Sequence, residues 1–556
     1  MKQIQLDLIA LTVCSTIPAI GCQFSKIRKR YITSIFLMIT TVVLVNAGEI
    51  NKNPETVGTD NQIDSLPIQP VQKPNIIILY ADDMGFGDLG IQNPDSKIPT
   101  PNLDKLASEG MRFTDAHSSS GICTPSRYAM LTGRHHWRDF HGIVGAMGKP
   151  CFQENQYTMA QMLKENGYTT ACIGKWHLGW DWDAIRKQDW TQQDSMKLWG
   201  RYHMFYPSQA YDWNLPIPGG PLERGFDYYF GDGTINMPPY VWIENDRVTE
   251  VPTVSMTTPK GLALEGSWEA RPGPAVEGWD FFKVLPTLTQ KAVEYVEKQK
   301  MIDQPFFLYM AFPSPHAPII PNEEFLGKSK AGAYGDFVYQ TDWCAGEILK
   351  ALDAIGAAEN TIVIFTSDNG PERYAYDRIR NFDHHSSAPF RGLKRDIYEG
   401  GHHVPFVIRW PKKIKAGAIS DEVISQVDLL KTISQIIDAD LPKGLAHDSH
   451  DFSDIWLGRK KDTRIRKATV QNTFKGRYAI RMDDWLYINH KSGYHSQPPA
   501  WAADHLGYLP FKDTVQLFNL KEDISQKINL AGQMPEKVKQ MQNELEAIQR
   551  NEMFIE

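Results

Sequence analysis

Short apolar runs broken by polar or glycine-rich connections recur along most of the chain. Asn75-Ile-Ile-Ile-Leu-Tyr80 is an uninterrupted run of the kind that forms a strand buried on both faces. Thr158 to Asn166 has helical spacing and stops at Gly167, a residue suited to a helix C-terminus. Thr169 to Ile173 and Pro305 to Phe312 read as further strands. Phe337, Thr341, Cys344, Ile348, Leu352 and Ile355 form a helical stripe, and Thr361 to Phe365 returns to a strand. Strand, helix and strand joined by short connections predict an α/β fold, with a large, mostly parallel sheet sandwiched by helices.

The pattern changes in three places. Trp180 to Arg224 is rich in Trp, Tyr, Pro and Gly without a period, and reads as a long insertion or lid. From residue 441 to 556 the chain predicts a smaller C-terminal α+β subdomain. Its antiparallel strands are expected near Tyr478 to Ile480 and Trp485 to Ile488, and an amphipathic helix over Pro535 to Arg550. The large α/β domain then occupies residues 74–440. At the other end, Lys26, Arg28, Lys29 and Arg30 precede an apolar run from Ile32 to Val45 that closes on Val45-Asn46-Ala47. That order predicts a signal peptide over residues 1–47 and export to the periplasm or medium. Leu6 to Gly21 is also apolar and ends at Cys22, so a lipid anchor at Cys22 on the cell surface is the alternative to a soluble product. Residues 48–73 are polar and read as a flexible lead-in.

Composition narrows the function. Of 556 residues 42% are hydrophobic and 22% charged, which suits a globular protein rather than a disordered scaffold. The net charge is −7, and removing the five Lys/Arg and one Asp of the leader leaves −11. Nucleic acid is therefore not an expected partner, and an anionic substrate would need a local cationic pocket. Four cysteines remain beyond the leader, Cys123, Cys151, Cys172 and Cys344, too few for a disulfide scaffold and without a C-x-x-C pair.

Candidate chemistry collects after the predicted strands. The first ends in Asp82-Asp83, the next in Lys175-Trp176-His177, the third leads to Ser314-Pro315-His316, and the last ends in Asp368-Asn369. The carboxyl ends of parallel strands form the ligand crevice of open α/β sheets. Oxygen donors without a Cys or paired-His cluster favour calcium or magnesium over zinc. In Cys123-Thr-Pro-Ser-Arg127, Thr124 is a candidate N-cap and Pro125 suits the first helical position, which sets Cys123 just before a helix N-terminus. That place fits an anion-binding residue, a thiolate nucleophile or a buried small hydrophobe alike.

The string C-x-P-S-R-x-x-x-L-T-G-R over Cys123 to Arg134 resembles the signature of type I, formylglycine-dependent sulfatases of the alkaline phosphatase superfamily. Further blocks are similar to that family in its order: A-D-D-M-G-F-G-D at 81–88, G-K-W-H-L-G at 174–179, S-P-H-A-P at 314–318, S-D-N-G at 367–370 and G-L-K-R-D-I-Y-E-G-G at 392–401. The resemblance implies an alkaline-phosphatase-like fold and an exported arylsulfatase-like enzyme acting on a sulfated polysaccharide or its oligosaccharides. It implies that a maturation enzyme oxidises Cys123 to formylglycine. Asp82, Asp83, Asp368 and Asn369, with the modified Cys123, would bind one calcium ion. A hydroxyl of the hydrated aldehyde would attack sulfur, with Lys175 and Lys394 holding the sulfate and Arg127 stabilising the formylglycine. His316 is the candidate acid for the leaving alcohol, and His177 the base that releases sulfate. The alternatives are a phosphodiesterase or phosphonate hydrolase of the same superfamily, or a catalytically dead sugar-binding relative. Where that family commonly has an Arg two positions after Gly400-Gly401, this chain has His402-His403. Trp180, Trp182, Trp190, Trp199, Tyr202 and Trp213 are candidates for sugar stacking or for packing a lid. His384, His385, His402 and Arg378 flank matched blocks and are candidates for contacting neighbouring anionic groups.

Overall fold

The computed structural model describes residues 72–198, 200–256, 263–266, 269–459 and 464–550. The expected leader, Cys22, residues 48–71 of the lead-in and Trp199 lie outside them.

The ten strands of the main sheet, in chain order, are β1 Asn75–Ala81, β2 Met111–Phe113, β3 Thr169–Lys175, β4 Tyr228–Gly233, β5 Ile243–Glu244, β6 Arg247–Val248, β7 Phe306–Ala311, β8 Thr361–Ser367, β9 Phe406–Arg409 and β10 Ala418–Ser420. Their order across the sheet is β10-β2-β9-β8-β1-β7-β3-β4-β5-β6. The five central strands, β8 to β4, are parallel, as the βαβ pattern predicts. The flanks are mixed: β9 runs antiparallel to β8 and β2, and β5 and β6 close the other side as antiparallel strands. These edge strands are two to four residues long, too short to print a period on the sequence.

Successive β1 residues serve opposite faces. Ile76, Ile78 and Tyr80 join Phe307, Tyr309, Ile362 and Ile364 in one core, while Ile77, Leu79 and Ala81 join Leu308, Met310, Val363 and Phe365 in another. Helices α1 Pro101–Ser108, α2 Cys123–Thr132, α3 Met159–Glu165, α4 Val284–Lys298 and α5 Gly332–Ala354 supply the covering layers. Tyr128, Leu131, Met159 and Leu163 of α2 and α3 pack on the first core; Leu103, Leu288, Phe337 and Ile348 of α1, α4 and α5 pack on the second. Helix α3 has the predicted ends: Thr158 accepts from the Gln161 amide, the Gln161 side chain returns the bond, and Gly167 turns away at φ +86°.

The insertion after β3 has more order than its composition suggests. Asp194–Leu198 and Arg201–Phe205 pair as an antiparallel hairpin outside the main sheet. Trp180, Trp182 and Trp213 are buried in the first core, whereas Tyr202 is exposed. The C-terminal part forms a separate antiparallel sheet, β11 Thr469–Asn472, β12 Tyr478–Met482, β13 Trp485–Ile488 and β14 Gln516–Asn519, packed against α6 Pro535–Gln549 through Met541 and Leu545. It is pinned to the large sheet by polar contacts: Gln471 donates to Glu399, the Tyr398 hydroxyl to Gln516, and His136 meets Asn472. Among the described residues, all four cysteines are free thiols, and no helix is long and apolar enough to cross a membrane.

Candidate active site

Strands β8, β1, β7 and β3 are neighbours, and all four stop at the same edge. Asp368 and Asn369 follow β8, Asp82 and Asp83 follow β1, His316 follows β7, and Lys175 closes β3 with His177 two residues on. Parallel strands carry these groups to one place because their carboxyl ends coincide. The backbone is shaped locally to aim them. Gly174 has φ +106° and breaks the β3–β4 register, and a Cβ there would lie 2.0 Å from the Ala311 carbonyl oxygen. Asp83 and His177 hold φ of +66° and +53°, a conformation costing a non-glycine residue about 1–3 kcal/mol.

The charges are buried and paired. Lys175 Nζ donates to Asp82 at 2.5 Å, Lys394 Nζ to Asp83 at 2.7 Å, and Arg127 grips Asp368 through Nε and one terminal nitrogen at 3.1 and 2.8 Å. Arg127 also donates to the Lys175 carbonyl and the Tyr309 hydroxyl, and its charge lies 3.8 Å from Asp82 Oδ1, beyond hydrogen-bond reach. Burial and the neighbouring Asp82 push the Asp368 carboxyl up to about 7. Burial would raise Asp82 too, but Lys175 and its other cationic neighbours hold it far below the ordinary carboxylate range. Lys394, which burial alone would lower, is held well above its usual value by Asp83.

Two acceptors in this crowd lack donors: Asp82 Oδ1 and Asn369 Oδ1 are buried without a hydrogen-bond partner. The Asn369 amide donates to Asp83, which leaves its carbonyl oxygen free. One donor atom from each of Asp82, Asp83, Cys123 and His316 lies within 4.8 Å of the others. Buried acceptors without partners are costly unless something positive meets them. An all-oxygen set from Asp82, Asp83, Asp368 and Asn369 therefore fits a hard divalent cation.

Cys123 is the first residue of α2, not the residue before it. Ile122 is the N-cap and supplies no side-chain bond; the Thr124 hydroxyl instead donates to the His177 carbonyl. Thr124 and Pro125 thus lie inside the first turn, because the helix starts two residues before Pro125. All ten residues of α2 are buried, and its uncapped N-terminus faces the site with N–H groups that favour an anion. Burial pushes the Cys123 thiol up to about 11, a poor setting for a plain thiolate.

The two histidines are oriented by carbonyls. His177 Nε2 lies 2.9 Å from the Val144 oxygen and therefore carries hydrogen, leaving Nδ1 with a free lone pair and no partner. Burial and Lys175 hold His177 neutral, well below its usual value. His316 Nδ1 lies 2.6 Å from the Ala317 oxygen, and its Nε2 is 3.7 Å from Asp83. Burial and Lys394 lower it as well.

Other candidates are built into the fold. His384 sits between Asp88 and the Lys97 amide, and Arg378 pairs with Glu265 over the Tyr334 ring. His402 is buried beside Thr473, and of this group only His385 is partly exposed. The sequence reading also passed over Asp232, the penultimate residue of β4, whose carboxylate is buried in the next strand position beyond Lys175 and His177. Nothing in its local sequence marks it. His403 meets Glu399 through Nδ1 at 3.0 Å and the Thr114 carbonyl through Nε2 at 2.9 Å. Both nitrogens face acceptors, while burial pulls its proton affinity below the usual value. It stands where the resembling family carries Arg.

Comparison with known proteins agrees with this geometry. The family model described as Sulfatase matches residues 74–439. The chain is similar to an N-acetylgalactosamine-6-O-sulfatase of Bacteroides thetaiotaomicron, 32% identical over 520 residues that cover 86% of this chain and 94% of the relative. It is 31% identical to an N-acetylgalactosamine-6-sulfatase of Mus musculus over 74% of this chain and 73% of that one. A solved Bacteroides thetaiotaomicron structure, described under the metabolism of multiple glycosaminoglycans, superposes with a TM-score of 0.71 at 30% identity. The match covers 86% of this chain and all of that one.

Proposed function

The chain belongs to the sulfatase family and is a sulfuric ester hydrolase, and from that premise we propose that it removes sulfate from a sulfated carbohydrate with residue 123 as nucleophile. The observation that carries this reading is the convergence of Cys123 with the two donorless acceptors, Asp82 Oδ1 and Asn369 Oδ1, at one buried edge. The relatives' names make 6-O-sulfated N-acetylgalactosamine the first substrate to try.

Cys123, matured to formylglycine, would offer a hydroxyl to sulfur from the N-terminus of α2. Asp82, Asp83, Asp368 and Asn369 would hold calcium, which when bound supplies a Lewis acid toward the sulfate oxygens. Arg127 fixes the Asp368 carboxylate for that purpose. Lys175 and Lys394 keep buried positive charge beside the carboxylates, and the α2 amides add partial charge where the sulfate would sit. His177 is set up as the base: its tautomer is fixed by Val144, and the free Nδ1 can take a proton from residue 123. His316 is set up as the acid: with Nδ1 held by Ala317, Nε2 is the nitrogen that protonates the leaving oxygen. An anionic sulfate beside His316 raises its proton affinity, so the acid forms with substrate in place. The leader read at residues 1–47 would make the enzyme exported.

The test is mass spectrometry of the tryptic peptide carrying Cys123, from protein made in a maturation-competent host, alongside sulfate release from sulfated N-acetylgalactosamine. The expected result is an aldehyde at residue 123 that reacts with hydrazide, together with turnover. Full turnover by protein carrying only the free thiol would overturn the nucleophile assignment.

A further inference from the structure

Beyond the groups assigned to sulfur chemistry, a fifth strand end joins the same row. Strand β4 lies next to β3, and its Gly233 carbonyl accepts from the Trp176 and His177 amides at 3.0 and 3.2 Å. Asp232 precedes that glycine and is 2% exposed. Apart from its own backbone amide, neither carboxylate oxygen has a hydrogen-bond partner. Among the described residues no salt bridge meets it, and Lys175, whose charge acts on it, donates to Asp82 instead.

Asp232 borders a small open cleft that is also lined by Val144, His177, Trp180, Thr234 and Met237. Two of these carry further polar atoms without partners, His177 Nδ1 and Trp180 Nε1. A buried carboxylate left open on both oxygens is destabilising, so its retention beside a cleft points to a ligand. Burial pushes the Asp232 carboxyl up to about 7, and in its ionised form it only accepts hydrogen bonds. A ligand that keeps it ionised must therefore donate, as the hydroxyl groups of a sugar ring do. It lies one strand beyond His177 and shares the cleft with it.

We propose that Asp232 is a specificity-determining residue that receives hydroxyl groups of the sugar ring bearing the sulfate ester. The proposal rests on the carbohydrate reading above and adds the residue that recognises the ring. Asp232 takes no part in bond breaking, so it acts on substrate choice through binding and alignment.

The experiment compares the parent enzyme with Asp232→Ala and the isosteric Asp232→Asn on 6-O-sulfated N-acetylgalactosamine, on its deoxy analogues lacking a ring hydroxyl, and on an aryl sulfate. The parent should lose about 10- to 100-fold in kcat/KM when the recognised hydroxyl is removed from the sugar. Asp232→Ala should fall by a similar factor on the complete sugar and no longer distinguish it from the deoxy analogue. Asp232→Asn should unfold at the same temperature as the parent or higher, because an uncompensated buried charge has been removed. An Asp232→Ala enzyme within threefold of the parent on the complete sugar, or one that still discriminates against the deoxy sugar, overturns the Asp232 assignment alone. A parent that cleaves the aryl sulfate and no sulfated sugar overturns the carbohydrate reading as well.

Discussion

Two buried clusters in this molecule use almost the same side chains for different ends. Asp82, Asp83, Cys123 and His316 form one; Asp115, His117, Glu399 and His403 form the other, and in each the candidate ligand atoms lie within 4.8 Å of one another. In the second cluster the carboxylates are met by donors. Glu399 takes His117 at 2.8 Å, His403 at 3.0 Å and Gln471 at 2.9 Å, and Arg481 holds Asp115 at 2.8 Å. Since Gln471 and Arg481 belong to β11 and β12, that cluster ties the small sheet to the large one. The first cluster keeps acceptors without donors despite three cationic side chains close by. Proximity of acids and histidines is therefore a poor guide to a site; what separates the two is that the first leaves a carboxylate oxygen unmet, Asp82 Oδ1, whereas the unmet atoms around the second are His117 Nδ1 and the Gln471 amide oxygen.

The largest test of that contrast is Cys123→Ala. Sulfate release should fall by about 10⁴-fold or more, while circular dichroism and the unfolding midpoint stay close to the parent's. Next, a chelator should abolish turnover and calcium restore it; recovery with zinc but not calcium would contradict the all-oxygen set of Asp82, Asp83, Asp368 and Asn369. Glu399→Gln should behave in the opposite sense, leaving calcium dependence intact while costing about 3–5 kcal/mol of stability in denaturant unfolding. The smallest effect is its pH dependence. Burial opposes the charged form of Glu399, but His117, His403 and Arg481 hold its carboxyl well below the ordinary 4.5. A depressed folded-state value stabilises above the unfolded one and is lost as pH falls. The gap between parent and Glu399→Gln should accordingly narrow as pH drops below about 4.5; a gap that widened on acidification would mean the Glu399 charge is not what holds the sheets together.

Much of the first cluster was legible because each part sits in a contiguous block at a strand end. Asp82-Asp83 follow six apolar residues, and the Asp368-Asn369 pair follows the strand after a clear helical stripe. Thr124 misled because capping preference is a local signal, and the helix instead begins directly after the extended backbone of buried Ile122. The hairpin at 194–205 was hidden because its residues alternate only between exposed and partly exposed, with no buried face to set a period. Asp232 was not legible at all. Its lack of partners arises from how β4, the Val144 segment and Trp180 pack together, which no short window of sequence records.

The burial of α2 also fixes an order of events. Cys123 is 1% exposed, and every residue of its helix is covered. No separate enzyme can grasp that segment once the sheet and its covering layers have closed over it. On the proposed maturation, conversion of the thiol has to take place on a nascent or unfolded chain, within the interval before the core forms, and a molecule that folds first would keep the thiol for its lifetime. On that reading the speed of folding would compete with activation.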